Sequence, residues 1–138
     1  KIDGRAVIPA GGLELLPIPE KRRIISASFF FTSLWEFDMD SMKLIRRIEG
    51  PINCRNIAYD ESRGLLYTTS FLGGELRVIR YSDGKTIKSI RLGNKASSLF
   101  LSPDRSTLYL GNSWGIMKLD IDRFLRDAAG AGHGTLHR

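Results

Sequence analysis

At 138 residues, with 42% hydrophobic and 26% charged residues, the chain has the size and balance of one ordinary globular domain. No apolar run reaches the roughly 18–20 residues of a membrane helix, which argues against membrane insertion, and the single cysteine, Cys54, leaves neither an internal disulfide nor a cysteine-based zinc site. The net charge of +6 is scattered over Lys21, Arg22 and Arg23, Arg46 and Arg47, and Lys85, Lys88, Arg91 and Lys95. Without an aromatic-interleaved basic stripe it argues against nucleic-acid binding and suits the protection of outer strands from edge-to-edge pairing.

In chain order, residues 5–10 read as a strand before a Gly-containing link, much as Lys88 to Leu92 precede Gly93. A first unit follows: strand 15–18, turn 20–23, strand 24–31, strand 34–38, turn 39–42 and strand 43–48. The middle unit is clearest. Residues 56–60 form a strand, Glu61-Ser-Arg-Gly64 a tight turn, and Leu65-Leu-Tyr-Thr-Thr-Ser70 a second strand rich in aromatic and β-branched residues. After the loop Phe71-Leu-Gly-Gly74 come strand 75–81, the hairpin turn Ser82-Asp-Gly-Lys85 and strand 86–92. The third unit gives strands 98–102, 107–111 and 115–120. Ile121, Phe124, Leu125 and Ala128 then follow helical spacing, with Asp120 or Asp122 as cap and Gly130 as stop, ahead of a Gly-rich tail to Arg138.

The units repeat. The turns opening at Pro19, Asp60 and Pro103 are spaced by 41 and 43 residues, a period that marks stacked β-sheet units. Leu76-Arg-Val-Ile-Arg-Tyr81 is apolar on both faces, as a strand sandwiched between sheets would be, and residues 86–92 carry more charge, as an outermost strand would. The expected fold is therefore all-β: about three β-propeller blades of four antiparallel strands and a short C-terminal helix. The propeller segment spans residues 1–121, with a strand at 5–10, blades at 13–50 and 52–93 and a partial blade at 96–121; residues 122–138 are helix and tail. Three blades do not close a ring comfortably. An open blade face of roughly 300 Å² leaves on the order of 8 kcal/mol of burial unrealised. The partners expected are further blades, from a longer chain or a second copy.

Tyr109-Leu-Gly-Asn112 after Ser102-Pro-Asp-Arg105 resembles the YVTN-type β-propeller repeat, as do Leu66-Tyr-Thr-Thr-Ser70, Asp83-Gly-Lys85 and Ile90-Arg-Leu-Gly93 in the middle unit. The Gly-His and Trp-Asp pairs of WD repeats are not in place, and Gly73-Gly74 is the one kelch-like doublet. The resemblance implies blade architecture and leans toward a periplasmic or extracellular setting, but it names no activity.

Propellers bind on the face made by inter-blade links and by the loops between second and third strands. Those positions hold Asn53, Arg55, Phe71, Leu72, Asn94, Lys95, Asn112, Ser113 and Trp114. Trp114, at a loop tip, is the leading anchor for a partner. Asn112 is expected to bond its own turn, and Trp35, Phe37 and Phe29, Phe30 and Phe31 are expected to pack between blades. No catalytic residues, metal site or cofactor are expected: no histidine precedes Cys54 or the serines to act as base, and His133 and His137 in the tail lack a nearby carboxylate or thiol. Carbohydrate binding would call for equivalent aromatics at equivalent loops, and Thr32-Ser33, Phe71 and Trp114 do not line up. The function expected is a non-catalytic binding or scaffold module for a protein or peptide. The alternative is a fragment of a propeller enzyme, haem- or quinone-dependent oxidoreductase-like, as occur among relatives of this repeat, with its catalytic residues outside the chain.

Overall fold

The computed structural model describes residues 1–8 and 14–127. Eleven strands form three antiparallel meanders among these residues. The first sheet is β1 (Glu14–Ile18), β2 (Arg23–Ala27), β3 (Ser33–Asp38) and β4 (Leu44–Glu49), and the second is β5 (Cys54–Asp60), β6 (Leu65–Ser70), β7 (Glu75–Arg80) and β8 (Thr86–Arg91). The third holds β9 (Ser98–Leu101), β10 (Thr107–Asn112) and β11 (Gly115–Asp120), followed by helix α1 (Ile121–Arg126). First strands meet across sheets, β1 against β5 and β5 against β9, so the sheets radiate from a shared inner edge.

Strand alternation decides which residues meet. Ile25, Ala27, Leu34 and Ile48 of the first sheet pack against Ile57, Leu66 and Ile79 of the second. From the opposite face of the second sheet, Tyr67, Leu76, Val78 and Ile90 pack against Leu108, Leu110 and Leu119 of the third, with Ile121 and Phe124 of α1. All of β6 is buried, as a strand covered on both faces must be. Each fully buried Leu or Ile contributes about 2 kcal/mol.

The repeat survives in fine detail at a spacing of 42 residues. The register shifts at Glu36/Phe37 and again at Val78/Ile79, so both third-to-fourth strand pairs carry the same irregularity. Left-handed backbone recurs at Arg22 and Gly64, at Met42 and Gly84, and at Asn53 and Lys95. The acidic turn residues satisfy backbone donors as expected: Asp60 accepts from Arg63 N, Asp83 from Lys85 N and Asp104 from Ser106 N. Asp120 is the helix cap, accepting from Arg123 N at 3.0 Å.

Polar clasps join neighbouring sheets. Arg46 reaches the buried Glu36 carboxylate and the Tyr81 carbonyl oxygen, while the Tyr81 hydroxyl donates to Glu36. Arg63 donates to Asp60 at 2.9 Å, to the Arg105 carbonyl oxygen at 2.7 Å and to Asp122 at 2.7 Å. The Lys88 ammonium donates to the carbonyl oxygens of Phe124 and Asp127, at the negative end of α1.

Three expectations need correcting. Residues 5–8, expected as part of a strand over 5–10, form no strand; the neighbouring Gly4 lies against Met42, in the turn after β3. The second strand ends at Ala27 rather than continuing through Phe31, because residues 29–31 belong to a loop. The first strand of the middle unit begins at Cys54, two residues before the expected Asn56. Residues 9–10 of the expected strand, and the tail with Ala128, Gly130, His133 and His137, lie outside the described residues.

Two glycines with positive φ respond differently to a methyl group. A Cβ at Gly74 (φ 64°) would stand 1.7 Å from the Gly93 carbonyl oxygen, whereas one at Gly84 (φ 72°) meets Ile48 at 3.5 Å and Arg46 at 3.9 Å, ordinary contact distances. In urea titrations Gly84→Ala is expected to cost about 1 kcal/mol, the left-handed strain alone, and Gly74→Ala several times more. The Asp60 carboxyl is pushed up by burial, but hydrogen bonds from Tyr67, Ser62 and Arg63 outweigh this and hold it below the ordinary carboxylate value. Its contribution is therefore complete above the unfolded-state pKa and lost as pH falls through the lowered folded value. Asp60→Asn is expected to destabilise the neutral protein by on the order of 2 kcal/mol and to flatten the acid limb of stability against pH.

Candidate functional site

The inter-blade links and the loops between second and third strands gather at one end of the sheets, held by repeated hydrogen bonds. Gly50 N donates to the Thr32 carbonyl oxygen at 2.9 Å, and Leu92 N to that of Gly74 at 2.7 Å. Phe71 N donates to the Asn53 carbonyl oxygen at 2.9 Å, and Ser113 N to that of Asn94 at 3.0 Å. Each link is thereby fastened to a neighbouring loop, and the face they form is continuous.

The nine expected residues divide into three sets. Asn53 and Asn112 hold backbone. Asn53 is left-handed (φ 55°), and its side chain donates to the Phe29 carbonyl oxygen at 2.9 Å. Asn112 donates to the Leu92 carbonyl oxygen at 2.9 Å and accepts from Trp114 N at 2.9 Å, the own-turn bond expected of it. Arg55, Phe71 and Leu72 are brought together. The Arg55 guanidinium lies 5.0 Å from the centre of the Phe71 ring, which is 6.3 Å from Phe29, and Leu72 is 58% exposed. Asn94, Lys95, Ser113 and Trp114 form a third set beside the third sheet, the first three exposed. The Trp114 ring is half-buried and lies flat on Gly93, so close that a Cβ there would fall 2.8 Å from the indole. Gly93 in turn touches Gly74, joining this set to the loop that carries Phe71 and Leu72.

Sequence reasoning missed the exposed phenylalanines. Phe30 is 68% exposed, the adjacent Phe31 is exposed too, and only Phe29 is half-buried, 5.3 Å from Phe30 in an edge-on contact. The expectation that all three pack between blades fails because they stand in the loop after β2. The signal was present in the period: Phe30, Leu72 and Trp114 are 42 residues apart. Each unit thus offers an apolar side chain at the same loop tip. Trp35 and Phe37 alternate with the inward-facing Leu34 and Glu36, and so occupy the face of the first sheet turned away from the second.

The Cys54 thiol is buried and pushed up to about 12, first by burial and second by the nearby Glu14 carboxylate. It remains protonated at neutral pH and is a packing residue, not a nucleophile. Among the described residues no group of three or more His, Cys, Asp or Glu side chains could hold a metal ion.

No family model matches the chain, and neither does any curated protein. Solved structures do. The chain is similar to Kuenenia stuttgartiensis hydrazine synthase (20% identity, TM-score 0.75, covering 89% of this chain and 37% of that one). It is also similar to the Myceliophteria thermophila Cps50 (Swd1) β-propeller domain (15% identity, TM-score 0.68, covering 80% and 36%). The computationally designed Ika8 protein matches at 16% identity with TM-score 0.64, covering 78% and 32%. The fold is that of β-propeller blades, and the chain spans about a third of the length of the solved structures it matches.

Proposed function

We propose that the chain is the blade portion of a larger propeller with YVTN-type repeats, acting as a non-catalytic binding or scaffold module for a protein or peptide. The observation that carries this reading is the row of apolar loop tips, Phe30, Leu72 and Trp114, at one repeat position on one face. Neither inter-sheet core includes them. Phe30 and Leu72 stand in water and Trp114 is half-buried beside them, next to a stacked Arg–Phe pair, a composition suited to an interface anchor. Selection of random displayed peptides on the immobilised protein is expected to enrich binders. Phe30→Ser with Leu72→Ser is expected to weaken them at least about tenfold, 1.4 kcal/mol, without lowering the melting temperature. Failure to enrich any peptide, or equal binding by the double variant, overturns the reading.

The outward face of the third sheet supports the second half of the proposal, that further blades complete the ring. Phe100, Tyr109 and Ile116 stand there 58%, 38% and 87% exposed. One repeat earlier, Ala58 and Tyr67 occupy the places of Phe100 and Tyr109 and pack in the core against the third sheet. The next blade would come from a longer chain or from a second copy. The isolated chain is expected to self-associate in sedimentation velocity, and Phe100→Lys with Ile116→Lys to restore a 15.5 kDa monomer of unchanged melting temperature. A stable wild-type monomer overturns this part.

A further inference from the structure

Two concave sites, each of about 350 Å³, open on the rim of the loop-bearing end. The first is lined by Phe31, Thr32, Ser33, Arg47 and Glu49. The second is lined in part by Ile52, Gly73, Glu75, Ser89 and Arg91. Phe31, Ser33, Arg47 and Glu49 are each 42 residues before Gly73, Glu75, Ser89 and Arg91, so the two hollows are one place in successive sheets. Each contains two hydroxyls (Thr32 and Ser33, Ser70 and Ser89), one carboxylate and one guanidinium, but at the repeat-related positions the order is permuted: Ser33, Arg47 and Glu49 in the first become Glu75, Ser89 and Arg91 in the second. The chemical content of the hollow has been kept while its order along the strands changed.

The charges in the two hollows are not equally available. The Glu75 carboxylate is already engaged by Arg77 Nε at 2.7 Å and by the Ser89 hydroxyl at 2.7 Å. Arg47 lies 5.9 Å over the Trp35 ring, which leaves its N–H edge open. Among the described residues neither Arg47 nor Arg91 takes part in an ion pair. Glu49 is the one carboxylate of the two hollows left unengaged, against two guanidiniums outside any ion pair, Arg47 and Arg91; Arg55, stacked on Phe71 of the same face, already answers the Glu14 carboxylate. The local surplus is positive, and the chain as a whole carries +6.

We infer that this rim binds an extended acidic peptide, which places one carboxylate side chain in each hollow against Arg47 and Arg91 and lays apolar residues on Phe30 and Leu72. The inference rests on the module reading above and names the chemistry of its partner. A guanidinium fork matches a carboxylate with two parallel hydrogen bonds, and the exposed apolar tips lie beside the hollows that hold it. A sugar ring fits less well: the aromatic wall Phe31 of the first hollow becomes Gly73 in the second, so no stacking surface is shared.

The test is fluorescence anisotropy with short fluorescein-labelled peptides carrying two aspartates across Leu-containing spacers of graded length. Asn and Lys analogues and an oligogalacturonate serve as comparators. The aspartate peptide is expected to bind tightest and to weaken with added salt. Arg47→Ser and Arg91→Ser are each expected to lower its affinity about tenfold, and Arg47→Glu with Arg91→Glu to shift preference to the Lys peptide, a gain that misfolding cannot produce. Equal binding of the Asn analogue, retained affinity in the Ser variants, or binding of the oligogalacturonate in place of the peptide overturns the inference. If peptides selected without bias bind but the aspartate set does not, the acidic partner falls while the module stands. If neither binds, both fall.

Discussion

A sheet that is apolar on both faces has to be covered on both, and every other feature of this protein follows from that requirement. The second sheet shows it most directly. Leu66 and Ile79 face one neighbour, Tyr67 and Val78 face the other, and every residue of β6 is buried. Such a sheet is stable only inside a stack. Once stacking is required, each unit must present the same shape to the next, which is why the register shifts at Glu36/Phe37 and Val78/Ile79 fall one repeat apart. On the outward side of the third sheet Tyr109 is exposed at the position where Tyr67, one repeat earlier, is buried and donates to Asp60.

Apolar burial is non-directional, so two smooth sheets could slide or rotate over each other at little cost. The polar clasps remove that freedom. Glu36 is buried, and its charge is tolerable only because Arg46 and Tyr81 approach from fixed directions. Arg63 ties the turn of the second sheet to both the turn and the helix of the third through three acceptors. Much of the positive charge that suggests a nucleic-acid surface is thus spent inside the protein: Arg46, Arg63 and Lys88 each bridge elements far apart in sequence.

Architecture was legible because it rests on local signals. The Asp83-Gly84 turn, the aromatic and β-branched run of β6 and the period of the anchors are all readable without knowing what packs on what. Even the first helical turn could be placed, since Asp120 caps it and Ile121 and Phe124 face the core. What misled was composition taken without register. Three consecutive phenylalanines look like core, yet strand β2 ends two residues earlier, at Ala27, and counting one repeat back from Phe71 and Leu72 would have put Phe29 and Phe30 in the loop. The clasps were beyond sequence reasoning for another reason. They join residues as far apart as Glu36 and Tyr81, or Arg63 and Asp122, whose meeting depends on how sheets stack. Trp114 shows both limits, for its loop tip was legible and its seat on Gly93 was not.

The same covering requirement bears on where the proposed partner would dock. The sides of the sheets that face a neighbour are consumed by stacking, and the outermost strands carry charge that discourages pairing. Beyond the two outward sheet faces, the two ends remain. At one end, turns are short and self-satisfied, with Asp38, Asp60, Asp83 and Asp104 accepting backbone N–H groups and left-handed residues closing the hairpins. At the other, Phe30, Leu72 and Trp114 recur at a position that contributes to neither core. Keeping a large apolar side chain in water gains nothing for folding, and a polar residue would serve a solvated loop tip equally well. Trp114 finds partial cover on Gly93, whereas Phe30 and Leu72 stand exposed at the same repeat position beside hollows with one guanidinium apiece, and it is this contrast on which the proposed binding role rests.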